Sequence, residues 1–335
     1  MKLQPRNLYV LLSLAWVAVA LLSLAVGTCG VSIVGHFTDE LYLDIFKRLS
    51  LPRLVMGTLA GASLAVAGAM FQSLFRNPLA SPYTLGVSSG ASLGASIAFT
   101  LAGGGLLFGL PIISLAAFAG AMVCVTVVYL IAQMQQARSI GILLLAGITM
   151  GFICTALIVV IIFLSKEHDL RHILQWMMGS LETVGAKPVY ESLAMIAIAG
   201  GFAVYLHRDL DLLMMGQTLA ASRGVSVRRS NRLIYFSASL LTAGVVAHCG
   251  PIGFVGLIVP HMMRFIVGPI HRHLLPACAL AGAVFLPLCD LLARNAMWWL
   301  RDESRQVPVG VITNLIGGAF FLYLLLTFRR HRQIS

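Results

Sequence analysis

Charged side chains within apolar stretches are where a chain of this kind would carry chemistry, because each is costly to place away from water. Here they are few. Asp290 and Arg294 stand four residues apart, on one face of any helix that holds them, and are predicted to pair. Arg264 closes the run "GPIGFVGLIVPHMMR" and is near enough to its end to snorkel to water. The histidines do not cluster: His271 and His273 flank Arg272, His261 follows Pro260, and only His248 lies deep in an apolar run. A hydrogen-bonded or water-facing ring is the expectation for His248, rather than a metal ligand. Cys29, Cys124, Cys154, Cys249, Cys278 and Cys289 show no CxxC spacing and read as small packed residues. No GxxxxGK[ST], HExxH or GxSxG occurs. The chain is therefore expected to be no enzyme and to need no cofactor. If ATP drives it, the motor is another polypeptide. An ion-coupled secondary transporter would use intramembrane acids as proton relays, and Asp290 alone supports that class poorly. It remains the alternative, with a membrane-embedded enzyme third.

Small residues form a second pattern. In "GVSSGASLG", Gly86, Gly90 and Gly94 recur every four residues, and Ser88, Ser92 and Ser96 are offset by two. Glycines so spaced share a helix face and let a neighbouring backbone approach closely. "GTLAG" (Gly57, Gly61) and "GITMG" (Gly147, Gly151) repeat the device. Packing is the expected role, and the serines either bond within their own helix or line a polar path. In "FRNPLASPYTLG", Pro78 and Pro82 forbid a continuous helix, and Asn77 before Pro78 suits a turn.

The elements behind these residues follow from composition. Of 335 residues, 59% are hydrophobic and 10% charged, against about 25% charged in soluble domains. A soluble fold could not cover its surface with so little polarity, whereas lipid needs no such cover. About 20 apolar residues cross a bilayer as a helix. That rule places spans at 8–27, 53–75, 84–102, 111–133, 140–164, 189–206, 231–249, 252–267, 276–294 and 309–328. The first exceeds the apolar core of a signal peptide and is expected to be retained. The eighth, rich in Gly and Pro, is expected to be broken or tilted. The reading is thus an all-α integral membrane protein of about ten helices, one transmembrane domain over 1–335.

Basic residues orient it. With both termini inside, that side collects fourteen bases, among them Lys2, Arg6, Arg76, Arg138, Arg223, Arg228 and Arg229, against Asp209 and Asp211. The other side holds nine bases and ten acids. The net charge of +11 therefore reports topology rather than nucleic-acid binding. Outside lie 28–52 and 165–188, the latter carrying "LRHILQWMM", which suits a short surface helix. Inside lies 207–230, longer than a plain connector needs and predicted to dock a partner. It reads as two short helices split at Gly224, with the acids at the first helix start and the bases after the break.

The stretch from Leu51 to Ala95 resembles the permeases of iron-siderophore, heme and cobalamin ABC importers, the FecCD-type family. So do "LLLAGI" (143–148), "QWMMGSL" (175–181), "GPIGFVGLIVPHMMR" (250–264), "LLPACALAGA" (274–283) and "VPVGVITNLIGGAFFLYLL" (307–325). The resemblance runs in order along the chain and implies a cobalamin-importer-permease-like fold of ten helices in a bacterial inner membrane. It implies two permease copies around one pathway, as a homodimer or a heterodimer with a paralogue. Two ATP-binding cassette subunits, which bind the ATP and Mg, and a periplasmic binding protein complete the assembly. Arg53 and Arg294 match outer-face arginines that pair with acids of the binding protein. Ser50 stands where a relative has a further arginine, which leaves Arg48 or Lys47 for that contact. Asn77, Pro78 and Leu79 match the loop narrowing the inner mouth. Residues 210–229, with Asp211, Leu212, Gly216, Arg223, Gly224, Arg228 and Arg229, match two coupling helices that seat on the ATPase. The implied cargo is an iron chelate, ferric siderophore first and heme or cobalamin next.

Overall fold

The computed structural model describes residues 4–26, 40–102, 105–107, 110–134, 140–182, 185–301 and 306–332. Lys2, Cys29, Arg138 and the 28–39 part of the first outer loop lie outside them. Among the described residues fourteen α-helices are formed in chain order. They are α1 (Pro5–Val26), α2 (Glu40–Ile45), α3 (Leu51–Leu74), α4 (Val87–Ala102), α5 (Ile112–Met134), α6 (Ile140–Leu164) and α7 (Glu167–Met177). The rest are α8 (Lys187–Tyr205), α9 (His207–Met215), α10 (Gln217–Ser222), α11 (Val227–Cys249), α12 (Val255–Val267), α13 (His271–Arg301) and α14 (Val309–Arg332). A two-residue hairpin, β1 (Leu106–Leu107) with β2 (Leu110–Pro111), joins α4 to α5.

Among the described residues seven helices are long and apolar enough to cross a membrane: α1, α3, α5, α6, α8, α11 and α13. The shorter apolar helices α4, α12 and α14 bring the number to the ten expected; most bounds agree within a few residues, while α13 overruns its predicted span of 276–294 at both ends. The protein is an all-α transmembrane bundle.

The small residues of α3 put it at the centre. Ala60, Ala65, Ala67 and Ala69 are wholly enclosed. A Cβ on Gly61 would overlap the carbonyl of Gly282 on α13, and one on Gly68 that of Gly256 on α12. Side chains of any size would prise these backbones apart, and lost contact is lost stability where no water drives association. By contrast α6 exposes Leu145, Phe152, Val159 and Phe163 along one face, as a helix against lipid does.

α3 stops through a Schellman turn. Asn77 N–H reaches Gln72 O at 3.1 Å and Arg76 N–H reaches Ser73 O at 3.3 Å, with Arg76 at φ 48°. Pro78 then bars resumption. The third span begins at Val87 rather than 84, because Pro82–Leu85 forms a 3-10 turn closed by Gly86 at φ 77°, a conformation open mainly to glycine. The eighth span is shortened: residues 250–253 are non-helical and Phe254, at φ 63°, precedes α12. Three glycines explain this. Gly250, Gly179 and Gly310 press against the carbonyls of Trp176, Pro251 and Met178, so "QWMMGSL", "GPIG" and "VPVG" meet in one backbone crossing.

Candidate functional site

Helix α8 crosses the bundle from α7 to α9, so these two helices mark opposite ends, and the polar residues gather there. At the α9 end, the loop between α8 and α11 forms two short helices, as expected. Their break is at Gly216, not Gly224: Gly216 adopts φ 137°, ψ 142°, a region essentially closed to side chains. Gly224, at φ 84°, instead closes α10, with Val225 N–H on Ala220 O at 3.0 Å. Arg228 and Arg229 consequently lie in the first turn of α11, not in a second coupling helix, although both stay exposed.

Three polar contacts mount α9 on the bundle. Ser230 Oγ of α11 donates to Asp209 Oδ2. Arg76 Nε donates to Leu213 O at 2.9 Å. Asp211 Oδ1 accepts from the ring Nδ1 of His271 at 2.6 Å and from its backbone N–H at 2.9 Å. Burial would raise the Asp211 carboxyl, but the hydrogen bonds from His271 prevail and hold it below its ordinary value. Leu210 and Leu213 turn inward, whereas Met215, Leu219 and Arg223 are exposed. Beside this helix Asn77 Oδ1 accepts Leu79 N–H at 2.9 Å, which fixes the turn that presents Pro78 and Leu79 to solvent.

The α7 end holds the buried charges. Arg53, the third residue of α3 and next after Pro52, places Nη2 2.9 Å from Asp290 Oδ1 and Nη1 2.7 Å from Gln306 Oε1. Arg294 places Nε 3.2 Å from Asp290 Oδ2 and Nη2 2.6 Å from Ser23 Oγ. With only 2% of its side chain exposed, Arg294 does not face outward as the resemblance implied, and Arg53 is nearly as enclosed. The reason is electrostatic: a desolvated carboxylate at 290 needs cationic partners, and both arginines are committed to it. Arg48 differs, being 71% exposed and bonded to Asp44 one turn away. Helix α7 is the short surface helix expected within 165–188, with Ile173 turned in and His168 and His172 exposed. Among the described residues no group of three or more His, Cys, Asp or Glu could hold a metal ion.

With this geometry in place, residues 11–327 match the FecCD transport family. The chain belongs to that family. It is 38% identical over 331 residues to the Fe(3+) dicitrate transport system permease protein FecD of Escherichia coli strain K12, spanning 96% of this chain and 99% of that one. To the hemin transport system permease protein HmuU of Yersinia pestis it is 33% identical over 99% of both chains. A solved metal-chelate type ABC transporter in an inward-facing conformation has TM-score 0.86 and 29% identity, over 97% of this chain and 100% of that one.

In this FecCD-family chain the glycine stripe is a packing face. A Cβ on Gly90 would stand 2.5 Å from Cys124 Cβ and 2.6 Å from Gly120 O of α5, and one on Gly94 would overlap Ala116 O. Ser88, Ser92 and Ser96 are buried inside the subunit, so they line no surface of it. His248 Nδ1 sits 3.3 Å from Ser114 Oγ and Nε2 3.6 Å from Glu191 Oε2, a ring between two polar neighbours. Sequence reading had no means to find the partnership of Asp211 with His271, or of Arg53 with Asp290. Partners 60 and 237 positions apart leave no spacing to read.

Proposed function

We propose that this chain is the membrane-spanning permease of an ATP-driven importer of a large metal chelate, ferric siderophore first, heme or cobalamin next. Its partners are two ATP-binding cassette subunits, a periplasmic binding protein and a second permease copy, identical or paralogous. The α9 end faces the cytoplasm with both termini, in a bacterial inner membrane. The observation that carries this reading is the α9–α10 platform. It is rigidly mounted, yet it turns Met215, Leu219, Arg223, Arg228 and Arg229 to solvent in a chain with no phosphate-binding loop of its own. Exposed apolar side chains ringed by arginine suit a protein partner. Among the described residues Asp290 is the most deeply buried carboxylate, and it is locked between two arginines; Glu191, near the start of α8, is enclosed beside His248.

At the other end Arg48 and Lys47 are exposed bases that suit an acidic binding protein. The deciding experiment reconstitutes the permease with its ATPase in liposomes and adds binding protein loaded with ferric siderophore, heme or cobalamin. We expect ATP hydrolysis to rise and uptake to follow for one cargo. Uptake driven by an ion gradient without ATP would overturn the reading.

A further inference from the structure

The Asp211 contact is the start of a longer chain. His271 is 0% exposed, and both ring nitrogens are engaged. Nδ1 donates to the Asp211 carboxylate, and Nε2 lies 2.6 Å from Ser73 Oγ in the last turn of α3. Ser73 Oγ also lies 2.8 Å from Ala69 O and accepts from Arg264 Nη2 at 3.5 Å. Arg264 Nη1 donates to Gln72 Oε1 at 2.6 Å, and the Gln72 amide donates to the carbonyls of Gly256 and Leu257 in the first turn of α12. An unbroken polar path thus leads from α9, through the first residue of α13, into α3 and α12. It ends where Gly68 and Gly256 bring those two backbones into contact.

Leu210 and Leu213 also hold α9 against the core. Buried hydrogen bonds add direction: they are made or broken rather than slid, and they strengthen one another away from water. The turn bearing Leu79 follows directly from α3, so a pull on Ser73 reaches the exposed mouth loop. We propose that the Asp211–His271–Ser73 chain transmits displacement of α9 to α3 and α12, making His271 a positioning residue of coupled transport. This rests on the reading of α9–α10 as the ATPase seat.

The test labels Leu79→Cys with a nitroxide in the assembled transporter and measures the distance between the two copies, without nucleotide and trapped with ATP and vanadate. In the otherwise wild-type complex the distance shifts on trapping. In His271→Ala we expect at least a two-fold smaller shift while ATPase co-purification and basal hydrolysis stay within two-fold. Ser73→Ala added to His271→Ala should cost nothing further, because both cut one chain. A full shift in His271→Ala, or additive losses, would overturn the proposal. Should His271→Ala not assemble, Ser73→Ala alone decides by the same criterion. A Met215→Glu/Leu219→Glu variant tests the underlying reading by itself. Loss of the ATPase supports the seat, and full retention overturns it.

Discussion

Asp290 faces two guanidinium groups at once, with Arg53 from α3 on one oxygen and Arg294 from its own helix on the other. Removing one member of a buried ion cluster strands the rest and costs about 3–5 kcal/mol. Asp290→Asn is therefore expected to lower the thermal midpoint in detergent well beyond any surface change. Arg48→Glu should leave the midpoint unmoved, since an exposed pair contributes only about 0–1 kcal/mol. It should instead weaken binding-protein association, most at low salt and less as screening rises. Equal affinity across a salt series would remove Arg48 from that contact. At the other end the Asp211 carboxyl is held below its ordinary 3.8. A lowered acid gives its full stabilisation above its unfolded value and loses it as pH falls through the folded one. The Asp211 contribution to the mounting of α9 should thus persist down to about pH 4 and fall away below it, as amide exchange in α9 would show.

At the scale of elements, two glycine positions separate packing from conformation. Gly90 lies helix to helix against Gly120 and Cys124, and Leu there would have to displace α5. Poor expression or a lowered melting profile is expected for Gly90→Leu, with cargo preference unchanged among molecules that do assemble. Gly216 has nothing within 4 Å of a would-be Cβ, so space is no obstacle. Its cost is the backbone: a side chain at φ 137° adds about 1–3 kcal/mol of strain. Gly216→Ala should leave the spans intact while altering the angle between α9 and α10, read as reduced ATPase co-purification. Normal co-purification would mean that the angle is not needed for seating.

For the whole molecule, the charge asymmetry predicts which end meets which compartment. Cysteine introduced at exposed Arg223 should be labelled by a membrane-impermeant maleimide only after permeabilisation. Cysteine at exposed Lys166 should be labelled in intact spheroplasts. Labelling of both from one side would refute the topology, and with it the placement of the ATPase.

The spans were legible because lipid imposes a simple rule: runs of about 20 apolar residues must satisfy their own backbones as helices. The same physics made the glycine stripes readable as packing faces and the 207–230 segment readable as a pair of short helices. Sequence also paired Asp290 with Arg294, since a spacing of four is a helix property. It could not show that Arg53 joins them, nor that burial takes Arg294 out of reach of a partner. The break at Gly216 rather than Gly224 was equally hidden, because both are glycines and only their backbone angles in the folded chain distinguish them. Ser73, Asp211 and His271 carry no mutual spacing. Tertiary structure alone brings them together, by folding the ends of α3, α9 and α13 onto one patch where buried polar groups must find one another.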